Sequence, residues 1–170
     1  LDAAHMAGTY VHNRSEDSND AKLHVGHEAD ATVFSFQAVK NLPTADSGII
    51  SFRDSTYYKL AKKLSWLGID KDTFERTSRE GQYNWKYNVP EIGFKYNGNS
   101  IMASMALVQL RYLDQDNDYR NKIAEWYDKL LDGTDSIKIV RNSYYCFKSS
   151  RHLYQVRLQS KNSDNRDTLI

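Results

Sequence analysis

Residues 31 to 52 constrain the fold more than any other part of this chain of 170 residues. Thr32-Val33-Phe34-Ser35-Phe36 is a β-branched and aromatic run of the kind that forms a buried strand. Gly48-Ile49-Ile50-Ser51-Phe52 is a second apolar strand, and Asn41-Leu42-Pro43-Thr44-Ala45-Asp46 between them is built of turn formers. Just after the first strand, five residues beyond Ser35, stands a lone lysine, Lys40. Most lysines are solvated surface charges. This one has apolar flanks on both sides, where partial desolvation favours the neutral, nucleophilic form of an amine. An amine held there can condense with a carbonyl to form an imine.

Composition removes several function classes. The length suits one domain or slightly more, and hydrophobic residues at 40% with charged residues at 26% are ordinary for a soluble globular protein. A net charge of +1 provides no long-range attraction to nucleic acid or to an anionic membrane. Cys146 is the single cysteine and has no partner for an internal disulfide, which fits a reducing compartment and hence the cytoplasm. No apolar run approaches the ~20 residues of a membrane span, and no secretory signal opens the chain.

Along the chain, residues 10 to 31 are polar, with Asn13 to Asp20 too hydrophilic to pack, and read as a surface loop. After the β-loop-β unit, Asp54-Ser55-Thr56 offers N-caps for a helix through Tyr57, Leu60, Ala61, Leu64 and Trp66 that Gly68 ends, its apolar spacing marking one buried face. Residues 69 to 97 have no clear period but carry Phe74, Tyr83, Trp85, Tyr87, Phe94 and Tyr96, as a binding surface would. Asn99 or Ser100 can cap a second helix that buries Ile101, Met105, Val108 and Leu110, and a third runs from about Asp118 to Leu131 and stops at Gly133. Ser136 to Val140 and His152 to Leu158 are two further strands. The order suits a three-layer α/β domain giving way to a smaller α+β domain.

Three blocks carry a family resemblance, and a later pair extends it. Phe34-Ser35-Phe36 followed by Lys40 resembles the strand, F-S-F-x-x-x-K, loop, strand segment of the DegT/StrS-type sugar-nucleotide aminotransferases, which are fold type I enzymes using pyridoxal 5'-phosphate. Leu1-Asp2-Ala3-Ala4-His5-Met6-Ala7-Gly8-Thr9 resembles their D-A-A-[HQ]-x-x-G-[TA] segment. Gly93-Phe94-Lys95-Tyr96-Asn97 with Ile101 to Leu110 resembles their G-Y-x-Y-[NR] segment and the helix after it, and His152-Leu153-Tyr154 with Arg166-Asp167 resembles a later H-L-[YF] and R-D pair. The blocks stand in the family's order and span essentially the whole chain.

The resemblance implies a partial large domain of the α/β/α, aspartate-aminotransferase-like kind over residues 1–115, then a connecting helix and the start of a small α+β domain over 116–170. It implies Lys40 as the catalytic Schiff-base lysine. Asp2 would hold the cofactor's ring nitrogen protonated, because an anion beside it favours the cation, although a lone Asp is otherwise a cap or a surface charge. His5 matches a residue beside the cofactor ring and can equally be a satisfied structural histidine. Ser35 matches a phosphate ligand, where composition alone would leave a strand serine facing a carbonyl. Asn97 matches a residue that reaches the neighbouring subunit's cofactor phosphate, which implies a homodimer with a shared active site; capping the following helix is the alternative.

No metal site is expected, since His24-Val25-Gly26-His27 lacks Cys or acidic partners at ligand spacing. Two departures from the family pattern stand out. Ala45-Asp46-Ser47-Gly48 replaces a loop that has two more glycines, so a positive φ there would be strained, and Gly98 and Ser104 replace larger or plainer residues. Leu1 in place of methionine, and a helix start at Asn165 to Ile170, suggest an internal fragment that binds the cofactor poorly alone. The expected function is amino transfer from an amino acid, glutamate first among donors, to a nucleoside-diphosphate keto sugar. A non-catalytic protein of the same fold is the alternative, and a single-stranded nucleic-acid binder built on the aromatics from Trp85 to Tyr96 is a third.

Overall fold

The computed structural model describes residues 1–12, 22–27, 29–70, 87–140 and 147–159. The central unit is the hairpin of β3 (Ala31–Ser35) and β4 (Gly48–Phe52), antiparallel from Ala31 against Phe52 to Ser35 against Gly48. The first residues extend it in parallel: Ala3 N donates to Val33 O at 2.9 Å and Val33 N to Leu1 O at 3.0 Å. The polar tract read as a loop contains two strands, β1 (Tyr10–His12) and β2 (Lys22–His24), paired with each other and, through β1, with β6 (Phe147–Lys148). Cross-strand hydrogen bonding forms this sheet despite its polarity; residues 13–21, within the hydrophilic stretch, lie outside the described residues. The third sheet pairs β5 (Ile137–Ile139) with β7 (Val156–Leu158).

Helices follow the caps that the sequence offers. Asp54 accepts from Thr56 N at 2.7 Å at the head of α1 (Ser55–Ser65), and Asn99 accepts from Met102 N at 2.9 Å at the head of α2 (Ser100–Leu110). The third helix starts earlier than expected. α3 (Leu113–Leu131) has no side-chain cap at Tyr112, but its start brings Leu113 into the core and puts Asp114 and Asp116 at the positive end of the helix dipole. The strand expected from His152 forms only over β7, because His152 and Tyr154 are committed to side-chain partners instead.

The core is small and partly polar. Ala7, Leu42 and Leu113 cluster with Phe36 and Ala106 against them, while Thr9, Thr32, Asn41, Thr44, Asn117 and Ser150 are also buried. The expected burial of the helix faces is not met. No residue of α1 or α2 is buried, and Ile101 and Leu110 are 75% and 56% exposed; both faces of β4 are open as well. Apolar periodicity marks a surface that seeks cover, and nothing among the described residues supplies it.

Candidate active site

Lys40 sits in the segment that joins β3 to β4, residues 36–47. Backbone bonds close the segment on itself: Phe36 N to Ser47 O at 2.7 Å, Thr44 N to Phe36 O at 2.8 Å, Ala38 N to Ala45 O at 2.8 Å and Lys40 N to Gln37 O at 2.8 Å. The Thr44 hydroxyl, wholly buried, donates to Phe36 O at 3.1 Å and lies against the Ser47 hydroxyl. Leu42 anchors the loop in the apolar core and Asn41 in the polar one, so the half-buried Lys40 is attached to two fixed neighbours. Ala45 adopts φ +77°, the left-handed conformation that the glycine-poor loop was expected to find strained.

Asp2 and Ser35 share a face. Asp2 pairs in parallel with Val33, and side chains alternate along a strand, which sets Asp2, Val33 and Ser35 on one side and the buried Ala3 and Thr32 on the other. Asp2 is exposed, its carboxylate accepting from Ala4 N at 3.0 Å; Ser35 Oγ accepts from Gln37 N at 3.5 Å. Val33 to Ser35 is one strand period, about 7 Å.

His5 reaches a second group of residues. Its ring centroid lies 4.5 Å from that of His152, and its carbonyl accepts from Ser150 Oγ at 3.1 Å. His152 Nδ1 bonds Asn41 Oδ1 at 2.7 Å; Asn41 Nδ2 donates to Asn117 Oδ1 at 2.6 Å and to Ser150 O at 2.8 Å; Asn117 Nδ2 donates to Ala7 O at 3.1 Å. Burial first, then the electrostatic influence of the neighbouring His5, Lys40 and Arg120 side chains, holds His152 below the usual imidazole range. Lys40, His5 and His152 are thus electrostatic neighbours. His152 also faces an open pocket lined with Arg120, Ile123, Ala124, Leu153 and Tyr154. Burial and the hydrogen bond to Asp128 push the Tyr154 phenol up to about 12.

Asn97 stands apart from this group. Its side chain donates to Gly98 O at 3.1 Å and its backbone N to Ser65 O at 3.0 Å, at the end of α1, while Asn99 takes the capping role at α2. His24 is used structurally: Nε2 accepts from Gly8 N at 3.1 Å and Nδ1 donates to Val25 O at 3.1 Å. Of the aromatic tract, Phe74, Tyr83 and Trp85 fall outside the described residues; Phe94 and Tyr96 stack at 5.2 Å on the surface and Lys95 lies 3.2 Å over the Trp66 ring. Sequence reasoning did not name Asn41, Asn117 or His152 as site residues. The His152-Leu153-Tyr154 block was the available signal; the two asparagines carry none, since an Asn in a turn or on a helix is unremarkable until its neighbours are known.

A hairpin whose joining loop carries a lysine with buried neighbours, and a carboxylate bridged in parallel to its first strand, are compatible with an α/β fold. The chain belongs to the DegT/DnrJ/EryC1/StrS aminotransferase family, whose model matches residues 1–170. An uncharacterized protein of Methanocaldococcus jannaschii is 30% identical over 153 residues, 90% of this chain and 36% of that protein. Spr1654 of Streptococcus pneumoniae, solved with PLP, superposes with a TM-score of 0.81 at 29% identity over 99% of this chain and 39% of its own. The aminotransferase TlmJ of Streptoalloteichus hindustanus superposes with 0.79 at 30% identity, over 99% and 39%. PseC of Helicobacter pylori, an aminotransferase in pseudoaminic acid biosynthesis, gives 0.75 at 26% identity over 94% and 38%. The chain therefore spans well under half the length of these relatives. Aminotransferases of this family depend on pyridoxal phosphate. Among the described residues no helix is long and apolar enough to cross a membrane.

Proposed function

We propose that this chain carries the lysine half of a cytoplasmic, homodimeric, pyridoxal-phosphate-dependent aminotransferase that moves an amino group from an amino acid, glutamate first among candidates, to a nucleoside-diphosphate keto sugar for surface-polysaccharide or other amino-sugar synthesis. In this reading residues 1–115 belong to the three-layer large domain and 116–170 to the connecting helix and small domain; α3, which starts at Leu113, is the joint. The observation that carries the reading is the shared face of Asp2 and Ser35. A carboxylate and a hydroxyl set about one strand period apart suit a flat cationic ring with an anionic arm, and a primary amine issues from the loop that leaves the same strand.

Bound there, the cofactor supplies an electron sink for the charge left when a substrate carbon loses its proton. The chain supplies the rest. Asp2 keeps the ring nitrogen protonated, because its charge stabilises the cation. Ser35 would donate to the phosphate, and Asn97, which is exposed, would do so from the adjacent subunit. His5 would flank the ring. Lys40 would hold the cofactor and, as a free amine, would take up and return the proton that the substrate carbon loses; the buried neighbours Asn41 and Leu42 keep its backbone in place for both tasks.

Borohydride reduction of the full-length protein followed by peptide mass spectrometry should find the cofactor's mass on Lys40, and an assay with glutamate should show amino transfer. Lys40→Ala should lose both, activity falling by at least ~10²–10⁴-fold, with the thermal midpoint retained. Label without transfer identifies a non-catalytic binder; no label at all ends the proposal.

A further inference from the structure

The amides around His152 fix more than its position. Two backbone carbonyls, those of Ala7 and Ser150, accept hydrogen bonds and cannot donate, so the groups facing them must be N–H. Asn117 Nδ2 therefore faces Ala7 O, at 3.1 Å, and Asn117 Oδ1 is an acceptor. Asn41 Nδ2 uses one hydrogen on that oxygen, at 2.6 Å, and the other on Ser150 O, at 2.8 Å. Asn41 Oδ1 is left as an acceptor only, and the ring nitrogen 2.7 Å from it, Nδ1 of His152, must carry the hydrogen. Asn41 is 8% exposed and Asn117 3%, so water does not compete for these bonds. A histidine held as Nδ1–H and kept neutral has its lone pair on Nε2.

Among the described residues Nε2 has no hydrogen-bond partner, and the side chains whose charges act on the ring are Lys40, Arg120 and His5. Lys40 and Arg120 are donors with no acceptor capacity. A lone pair among donors selects its ligand. Phosphate and carboxylate groups bring only acceptors and are repelled by it, whereas a hydroxyl gives its hydrogen to Nε2 and accepts from a neighbouring cation. His152 also lines an open pocket with Arg120, Ile123, Ala124, Leu153 and Tyr154.

We propose that His152 is a specificity-determining residue for the sugar, its Nε2 accepting a hydrogen bond from a substrate hydroxyl, and that Asn41 and Asn117 are positioning residues that hold it in the tautomer able to do so. The inference rests on the aminotransferase reading above and adds a division of labour: the amino donor, which carries carboxylates but no hydroxyl, does not use His152.

The test separates the two half-reactions in the full-length enzyme loaded with pyridoxal phosphate. His152→Asn keeps an N–H for Asn41 and removes the Nε2 position. It should raise KM for the keto sugar about tenfold, leave the glutamate half-reaction within about twofold and leave the thermal midpoint unchanged. His152→Gln puts an amide oxygen near the Nε2 position and should recover most of the sugar reaction. In ¹⁵N spectra of the imidazoles at neutral pH, His152 should show a protonated Nδ1 and a bare Nε2, and Asn117→Asp should change that pattern. Equal damage to both half-reactions by His152→Asn, or a His152 protonated on Nε2, overturns the proposal. Failure of every amino acid in the donor half-reaction would instead overturn the aminotransferase reading, and the ¹⁵N pattern would still decide the tautomer.

Discussion

Single residues show how closely chemistry and strain sit together here. Lys40 is flanked by Asn41, buried in an amide network, and is five residues from Ala45, whose φ of +77° is unfavourable for any residue with a Cβ. The strain was legible in the sequence: the loop has alanine and serine where the family pattern it resembles has glycines. Ala45 tolerates it because Ala38 N, Thr44 and Ser47 hold the loop on both sides. Ala45→Gly should therefore stabilise the protein by about 0.5–1 kcal/mol, relief of the left-handed alanine outweighing the glycine's added unfolded-state entropy. Thermal or urea melting of the pair decides this, and a lower midpoint for the glycine variant would show that the loop relaxes elsewhere. Asn41 and Asn117 were illegible for the opposite reason. An amide gains meaning only from the donors and acceptors that surround it, and these come from residues as distant in sequence as Ala7 and Ser150.

Elements were readable where their signal is local. Asp54 and Asn99 cap α1 and α2 as the residue types require, and the β3–β4 pairing follows from two apolar runs around a turn-rich segment. The termination at Gly68 was equally legible, and the structure adds its cause. Gly68 takes φ +75°, and a Cβ there would lie 1.8 Å from Glu91 O, because the segment up to Asn97 runs against the end of α1 through Phe94 N to Leu64 O at 2.7 Å and Leu67 N to Phe94 O at 2.9 Å. Gly68→Ala should cost upwards of about 2 kcal/mol, from strain and a backbone clash together. Its measurable sign is faster hydrogen exchange at Phe94 and Leu67 than elsewhere. Normal protection at those two amides would show that the turn accommodates a side chain. By contrast β1, β2 and the true start of α3 were missed. Their pairing partners and the pocket for Leu113 are supplied by chain far away in sequence.

On the scale of the whole molecule, the most telling feature is how little of its apolar surface is covered. Ile101, Leu107, Val108 and Leu110 on α2 are all at least half exposed, on a helix apolar nearly all round. Helices of that composition are interior ones, and in the homodimer proposed above α2 is the face expected to be covered. Ile101→Asp should shift the full-length enzyme toward monomer in sedimentation and lower transamination in parallel, since burying an unpaired carboxylate costs several kcal/mol. A dimer of undiminished affinity would place the interface elsewhere. The strands, the turn-rich segment between them and the helix caps follow from residue types at short spacing, because turns and helix ends are local matters, whereas the roles expected of Lys40 and Asp2 came from the family resemblance. Which faces meet could not be read in that way. The parallel contact that sets Asp2 beside Val33, the amides that orient His152 and the open face of α2 depend on pairings between distant segments, and hydrophobic periodicity says that a surface will be buried without saying against what.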